Sequence, residues 1–409
     1  MHFSTISLIG LGYIGLPTAA VLASRMGNVV GVDVNKDVVE SITNGNVKTL
    51  EPGLAELLAQ VSGNALRAVT KPEAADAFII AVPTPITEDH KPDISYVRSA
   101  ALSLAPVLRT GNLIILESTS PVGTTEQMAQ WLAEARPDLS FPQQAGDEAD
   151  VQIAYCPERI LPGKMLEELV HNDRIVGGLT RTASDMAASL YRLFVEGEIH
   201  ITSVRTAELC KLAENSFRDV NIAYANELSM ICDKLDIDVE ELIRLANHHP
   251  RVNILQPGCG VGGHCIPVDP WFIVDSAPEQ ARLIRTAREV NISKTNFVVE
   301  KITSQIKKEV KENFNNIFST FSVGFLGISF KPNCADIRES AALYIVQQIS
   351  MLGCKVFVAD PCVRNITFIN SNIVFTTSDI LLKRATMIYL LTKHSYFRKI
   401  SKLHYIQIS

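Results

Sequence analysis

The residues best equipped for covalent chemistry lie in the run Gly258-Cys259-Gly260-Val261-Gly262-Gly263-His264-Cys265-Ile266-Pro267-Val268-Asp269-Pro270. So dense a set of glycines describes a backbone that must press against something. In its middle stands a thiol, Cys265, followed four residues later by a carboxylate, Asp269. A cysteine beside an N–H-rich loop can be held as a thiolate and act as a nucleophile. A buried turn with an inert cysteine is the plainer alternative. Zinc held by Cys259, His264 and Cys265 with His248 or His249 is another, but that spacing matches none of the usual paired-ligand patterns. The nucleophile is preferred and no metal is expected; Cys259, with no carboxylate after it, reads as structural.

A second set of residues forms a cofactor fingerprint. Gly10-Leu11-Gly12-Tyr13-Ile14-Gly15 follows an apolar strand and opens a helix, and Asp33 stands eighteen residues beyond Gly15 at the end of the next strand. In such a turn the first glycine permits the bend, the second lets backbone N–H groups approach a pyrophosphate, and the third lets helix and strand pack closely. The helix start adds partial positive charge. Asp33 accepts from ribose hydroxyls and repels a 2'-phosphate, so NAD is favoured over NADP. Two further loops qualify by position, Pro83-Thr84-Pro85 and Ser118-Thr119 through Thr124-Thr125, the second offering hydroxyls at a helix start. Lys211, Asn215 and Arg218 fall at i, i+4 and i+7 and share one helix face; such a row can stabilise an oxyanion or simply face solvent.

These groups need a scaffold, and the pattern around them supplies one. Ile6–Ile9, Val29–Asp33, Ala77–Val82 and Leu113–Glu117 read as short buried strands separated by helical segments, which implies a parallel, doubly wound sheet. A looser stretch, Arg136 to Asp150, leads to strand-like Val151–Tyr155 and Arg174–Gly178. Thr206 to Asp236 is helical with no Pro or Gly, long enough to bridge domains or to form a dimer seam. Ala281 to Val310 reads as a second long helix, followed by strands Phe321–Leu326, Lys355–Asp360 and Thr386–Leu391 around helix Ser340–Met351. The expectation is an α/β protein with two Rossmann-like domains, residues 1–200 and 301–409, joined by a central helical region, 201–300.

Composition narrows the class. With 409 residues, 47% hydrophobic, the chain can bury two or three cores. A net charge of -6 leaves no basic footprint for nucleic acid and no polybasic membrane patch. The apolar run Ile6–Ala23 has no preceding basic residue and carries glycines at fixed offsets, so it reads as strand and helix rather than a membrane span. Eight scattered cysteines argue for reduced thiols in the cytoplasm. Late in the chain Lys383, Arg384, Lys393, Arg398, Lys399 and Lys402 accumulate, either as a solvated basic tail or as a contact for substrate phosphates.

Taken together these segments resemble the UDP-glucose and GDP-mannose dehydrogenase family over nearly the whole length. The motifs that carry the resemblance are Gly10 to Pro17, Glu117 to Gly123, Tyr155-Cys156-Pro157-Glu158-Arg159, Lys211 to Asn215, Gly260 to Pro270, and Ser329-Phe330-Lys331-Pro332 with Asp336 to Ser340. His264 before Cys265 and Val268 before Asp269 look like the branch acting on UDP-N-acetylhexosamines. The resemblance implies oxidation of a sugar C6 alcohol to a carboxylate with two NAD, through a Cys265 thiohemiacetal and thioester. It gives Lys211 an acid/base or oxyanion role and places the C6 oxygen on Asn215. Asp269, Glu158 and Thr119 would position the hydrolytic water. Gly10, Gly12, Tyr13, Ile14, Gly15, Asp33, Thr84, Thr119 and Thr125 would bind NAD. Arg159, Ile160, Arg218, His249, Arg251 and Gly262 would contact the UDP-sugar together with Lys211 and Asn215. From the last domain Phe330, Lys331 and Arg338 would join them, and a homodimer is implied. The chain departs from the family near its end, where Lys393 precedes His394 in place of an acidic or neutral residue and no further strand is read before Ser409. A non-catalytic protein that binds NAD and a UDP-sugar, and a 6-dehydrogenase for the gluco epimer or another UDP-sugar, are the rival readings.

Overall fold

The computed structural model describes residues 3–47, 49, 51–161, 163–364, 366–400 and 406–407. Lys402 of the basic tail lies outside them. Two compact units divide at Ala213/Glu214, inside the helix Val204–Leu235.

The first unit is built on an eight-stranded sheet: β1 (Ile6–Ile9), β2 (Val29–Val32), β3 (Leu66–Val69), β4 (Ala77–Ile80), β5 (Asn112–Leu116), β6 (Val151–Tyr155), β7 (Arg174–Gly178) and β8 (Ile199–Ser203), in the order β3-β2-β1-β4-β5-β6-β7-β8. The reversal beside β1 is the switch point of a doubly wound sheet, where ligands bind beyond the strand ends. Every residue of β1, β2, β4, β5 and β6 is buried, because helices cover both faces. Ile6, Leu8, Ile79 and Ile115 pack on one face with Ala19 and Leu22, and Phe78, Ile80 and Ile114 on the other with Val97 and Met128.

The strands read from the sequence as a parallel, doubly wound sheet pair in parallel, and the structure adds two features to them. The sheet is not wholly parallel: β7 runs antiparallel to β6, pairing Ala154 with Gly178 and Tyr155 with Gly177, and β8 then runs parallel to β7. The strands β3 and β8 were not legible as strands, since both are short edges with solvent-facing positions and lack a buried apolar run.

In the second unit the sheet has the order β11-β10-β9-β12-β13, all parallel: β9 (Ser322–Leu326), β10 (Lys355–Ala359), β11 (Ile373–Phe375), β12 (Met387–Leu390) and β13 (Ile406–Gln407). β11 and β13 are again short edges absent from the sequence reading, and β13 supplies the further strand that was not expected. The helices Arg282–Asn313 and Ala341–Ser350 close one face over Val298, Ile302, Ile345 and Val346. The long helix ends where Asp236 takes φ 55, a left-handed conformation that stops propagation. Among the described residues no helix is long and apolar enough to cross a membrane.

Candidate active site

The thiol loop is held at both ends by one helix. Asn226 on Val204–Leu235 accepts the Gly258 N–H at Oδ1, 2.9 Å, and Asn215 on the same helix donates to Asp269 Oδ2 at 2.5 Å. Between these anchors Gly263 has φ 91 and donates its N–H to the Arg338 carbonyl, 3.1 Å. A Cβ on Gly262 would stand 2.5 Å from the Glu339 carbonyl oxygen and 2.8 Å from Phe330 Cβ. The glycines therefore press against the Ser329–Ser340 segment of their own unit, a tertiary contact invisible in the sequence. Cys265 is a half-buried thiol. Its carbonyl accepts from Val268 and Asp269 N–H and starts the helix Asp269–Ser276, so the thiol lies at the end where helix N–H groups project.

Behind the loop a buried network ties the two long helices together. Asn226 donates to Asn291, Asn291 and Arg288 donate to Asp219 Oδ1, and Lys294 donates to Ser229. Burial pushes the Lys294 ammonium down to about 8. Cys259 is enclosed, burial pushing its thiol up to about 11, and its Sγ lies 3.8 Å from the Leu391 carbonyl oxygen.

Phe330, Lys331 and Arg338 share the segment against the thiol loop. Lys331 lies 5.6 Å over the Phe330 ring, and the Arg338 guanidinium is paired with Asp336. Asp360, Cys362 and His394 bring three potential metal-ligand atoms within 4.8 Å. The His394 Nδ1 accepts the Asn333 N–H and its Nε2 faces Asp360 and Ser329, so the histidine clamps the 329–333 loop. Arg218, His249 and Arg251 are exposed, and Lys393 pairs with Glu240 at 2.8 Å.

In the first unit the cofactor turn has the shape its sequence demands. Gly10 has φ 96, and a Cβ there would sit 2.5 Å from the Ala81 carbonyl oxygen; a Cβ on Gly15 would collide with the Gly10 carbonyl oxygen. A Cβ on Gly12 meets nothing within 4 Å, which leaves open space where a pyrophosphate must approach. No side chain caps the helix Gly15–Met26 and no acidic residue lies in its first turn. Asp33 braces the turn by accepting from Leu11 N–H at 2.9 Å and Asn35 N–H at 2.8 Å. The open space at Gly12 and the uncapped helix start fit a dinucleotide. Thr84 and Thr119 are half-buried after β4 and β5. The Thr125 hydroxyl, by contrast, is taken by Glu208, whose carboxylate also accepts the Thr125 and Gly123 N–H groups.

Glu158 is buried, accepting from Arg174 Nη1 at 2.8 Å and from the Arg159 N–H at 2.6 Å. Arg159 lines an open cavity of about 320 Å³ with Asp173, Ile175, His200, Thr202, Thr206 and Cys210. Arg174, Tyr191 and Glu208 were missed by motif reading, and Glu117 was read only as the first residue of a motif, because their partners lie 16 to 85 residues away in sequence.

Comparison with known proteins defines the class. Residues 4–195 match the NAD binding domain of the UDP-glucose/GDP-mannose dehydrogenase family, residues 205–293 its central domain and residues 324–407 its UDP binding domain. The chain belongs to this family, and its cofactor is NAD. Two relatives show where in the family it lies. UDP-N-acetyl-D-mannosamine dehydrogenase of Yersinia pestis is 54% identical over 404 residues, covering 98% of this chain and 96% of that one. NDP-N-acetyl-D-galactosaminuronic acid dehydrogenase of Ralstonia nicotianae is 54% identical over 403 residues, covering 98% and 93%. Among solved structures, the UDP-N-acetyl-mannosamine dehydrogenase of S. aureus aligns with a TM-score of 0.84 at 42% identity, covering 96% of this chain and 90% of that one.

Proposed function

We propose that the protein oxidises UDP-N-acetyl-D-mannosamine at C6 to UDP-N-acetyl-D-mannosaminuronate, consuming two NAD per sugar, as a step towards surface polysaccharide precursors. The observation that carries this is Cys265, a half-buried thiol presented at a helix start by a loop anchored on Asn226 and Asn215. NAD, when bound, accepts hydride from C6. The chain supplies the rest. Cys265 adds to the C6 aldehyde left by the first oxidation, and the resulting thiohemiacetal retains a C–H bond for the second. The thioester is then hydrolysed. Lys211 exchanges the C6 hydroxyl proton or stabilises the oxyanion, and Asn215 holds the C6 oxygen while its amide fixes Asp269. Glu158, Asp269 and Thr119 position the hydrolytic water.

Gly10, Gly15, Thr84 and Thr125 shape the NAD cradle. Arg159, Ile160, Arg218, His249, Arg251, Gly262, Phe330, Lys331 and Arg338 complete recognition of the UDP-sugar. Functionally the chain divides into parts 1–200, 201–300 and 301–409. The protein acts in the cytoplasm as a homodimer. Supporting the dimer, Phe217, Tyr224 and Ile231 recur every seventh residue of the long helix at 70%, 54% and 47% exposure, an apolar stripe suited to a second copy.

The test is a panel of UDP-ManNAc, UDP-GalNAc, UDP-GlcNAc and UDP-Glc with NADH counted per uronate. Two NADH, fastest turnover with the manno sugar and no uronate from Cys265→Ala support the reading. One NADH per sugar, or full uronate formation by Cys265→Ala, sinks it.

A further inference from the structure

Beyond the ends of β5 and β6 lies an enclosed polar cluster that the mechanism above uses only in part. Glu117 follows β5, Glu158 comes three residues after β6, Arg174 opens β7 and Tyr191 ends the helix Arg181–Tyr191. All four are at most 7% exposed. The reversal of β7 makes the cluster possible: continuing the register of Ala154 opposite Gly178 sets Glu158 across from Arg174.

Hydrogen bonds are unevenly distributed within it. Arg174 Nη1 donates to Glu158 Oε2 at 2.8 Å, the Arg159 N–H occupies Glu158 Oε1, and the Tyr191 hydroxyl donates to Glu117 Oε1 at 2.8 Å. Among the described residues, Glu117 Oε2 and both Arg174 Nε and Nη2 have no partner. An unused acceptor and two unused donors thus share one buried enclosure. One guanidinium cannot neutralise two buried carboxylates, and an uncompensated buried charge is costly. Burial, and secondly the charge of Glu158, push the Glu117 carboxyl up to about 7. Of its other titratable neighbours, burial pushes the Cys156 thiol up to about 12 and the Tyr191 phenol well above its ordinary value, so both stay neutral.

We propose that Arg174 is a partner switch, committed to Glu158 while Glu117 is protonated and turning its unused N–H edge to Glu117 when that carboxyl ionises, which makes Glu117 a positioning residue for Glu158. The consequence for turnover rests on the role proposed above for Glu158. In hydrolysis the water oxygen bonds to the acyl carbon, its proton passes to Glu158, and the C–S electron pair returns to Cys265 as thiolate. A carboxylate bound at both oxygens is a poor proton acceptor. Released from Arg174, Glu158 regains a lone pair for the water proton.

Infrared difference spectra of the full chain across neutral pH read the buried carboxylic acid directly. The switch requires a C=O band that disappears as pH rises, is absent from Glu117→Gln, and titrates at lower pH in Glu158→Gln, where Arg174 has no competing carboxylate. A band that survives Glu117→Gln, or an unmoved titration in Glu158→Gln, overturns it. Should Glu117→Gln not fold, Tyr191→Phe removes the hydroxyl donor and must move the titration to higher pH. In turnover, hydrolysis falls about tenfold per pH unit below the Glu117 ionisation in the unaltered protein and flattens in Glu117→Gln, while single-turnover hydride transfer keeps its profile. An unchanged hydrolysis profile overturns the coupling to Glu158, whereas uronate formation by Cys265→Ala overturns the thiol reading; the two failures are distinct.

Discussion

Asn215 and Asp269 are joined by a 2.5 Å hydrogen bond from Nδ2 to Oδ2, which ties the long helix to the first residue of the helix behind Cys265. Asp269 is 3% exposed, and this amide donor faces its buried carboxylate. Asn215→Asp replaces the donor with a second carboxylate. It should cost about 2 kcal/mol at mildly basic pH and abolish turnover. Like charge raises the proton affinity of the pair, so stability should recover as pH falls and one carboxyl protonates. Urea titrations at mildly acidic and mildly basic pH read the difference; equal losses at both would contradict the pairing.

The cofactor turn separates folding from binding. Gly12→Ala meets no protein atom and should change stability by less than about 0.5 kcal/mol, while raising the NAD Kd at least about tenfold. Gly15→Ala drives a methyl into the Gly10 carbonyl and should lower both stability and NAD affinity. Thermal melts with and without NAD, beside NAD titrations, distinguish them.

Glu117 makes a linkage prediction independent of catalysis. Its carboxyl is raised from the ordinary 4.5 to about 7, so between these values the folded chain holds a proton the unfolded chain has released. Its stabilising effect is complete below 4.5 and is lost as pH rises through 7, a change of about 3 kcal/mol. In Glu117→Gln this loss is absent. Its stability relative to the unaltered protein should therefore rise across that window, which denaturant midpoints at several pH values would show.

Asp360 organises the loop that carries Phe330 and Lys331. Burial raises its carboxyl, but the His394 contact and the N–H groups of Ile328 and Cys362 outweigh this and hold it down to about 2. Stabilisation from a depressed carboxylate is present above its ordinary range and fades only as pH falls through 2. Asp360→Asn should therefore carry the same penalty throughout neutral pH, with KM for the UDP-sugar raised about tenfold and kcat nearly kept. A fall in kcat at constant KM would place Asp360 elsewhere in the mechanism.

Much of this molecule can be read along the chain, where chemistry and geometry are local. The Gly10–Gly15 turn, the buried strands β1, β4, β5 and β6 and both long helices follow from residues adjacent in sequence. The same holds for Cys265 in its glycine loop. What was illegible is non-local. The edge strands β3, β8 and β11 carry too few buried positions to show a pattern, β13 is two residues long, and the direction of β7 depends on how the chain returns after Tyr155. Thr125 reads as a ligand-facing hydroxyl until Glu208, 83 residues later, is seen to occupy it. Arg174 reads as the polar start of a strand, and only folding pairs it with Glu158.

The two anchors of the thiol loop, Asn215 and Asn226, are eleven residues apart on one helix, about three turns and roughly 16 Å of axial rise. The helix thus acts as a ruler for the loop. Deleting one residue between the anchors would rotate one of them by about 100° and shorten the span by about 1.5 Å, releasing either the Gly258 N–H or the Asp269 carboxylate. Spacing between Asn215 and Asn226 should therefore resist insertion and deletion even where the identities of the intervening residues are free to change.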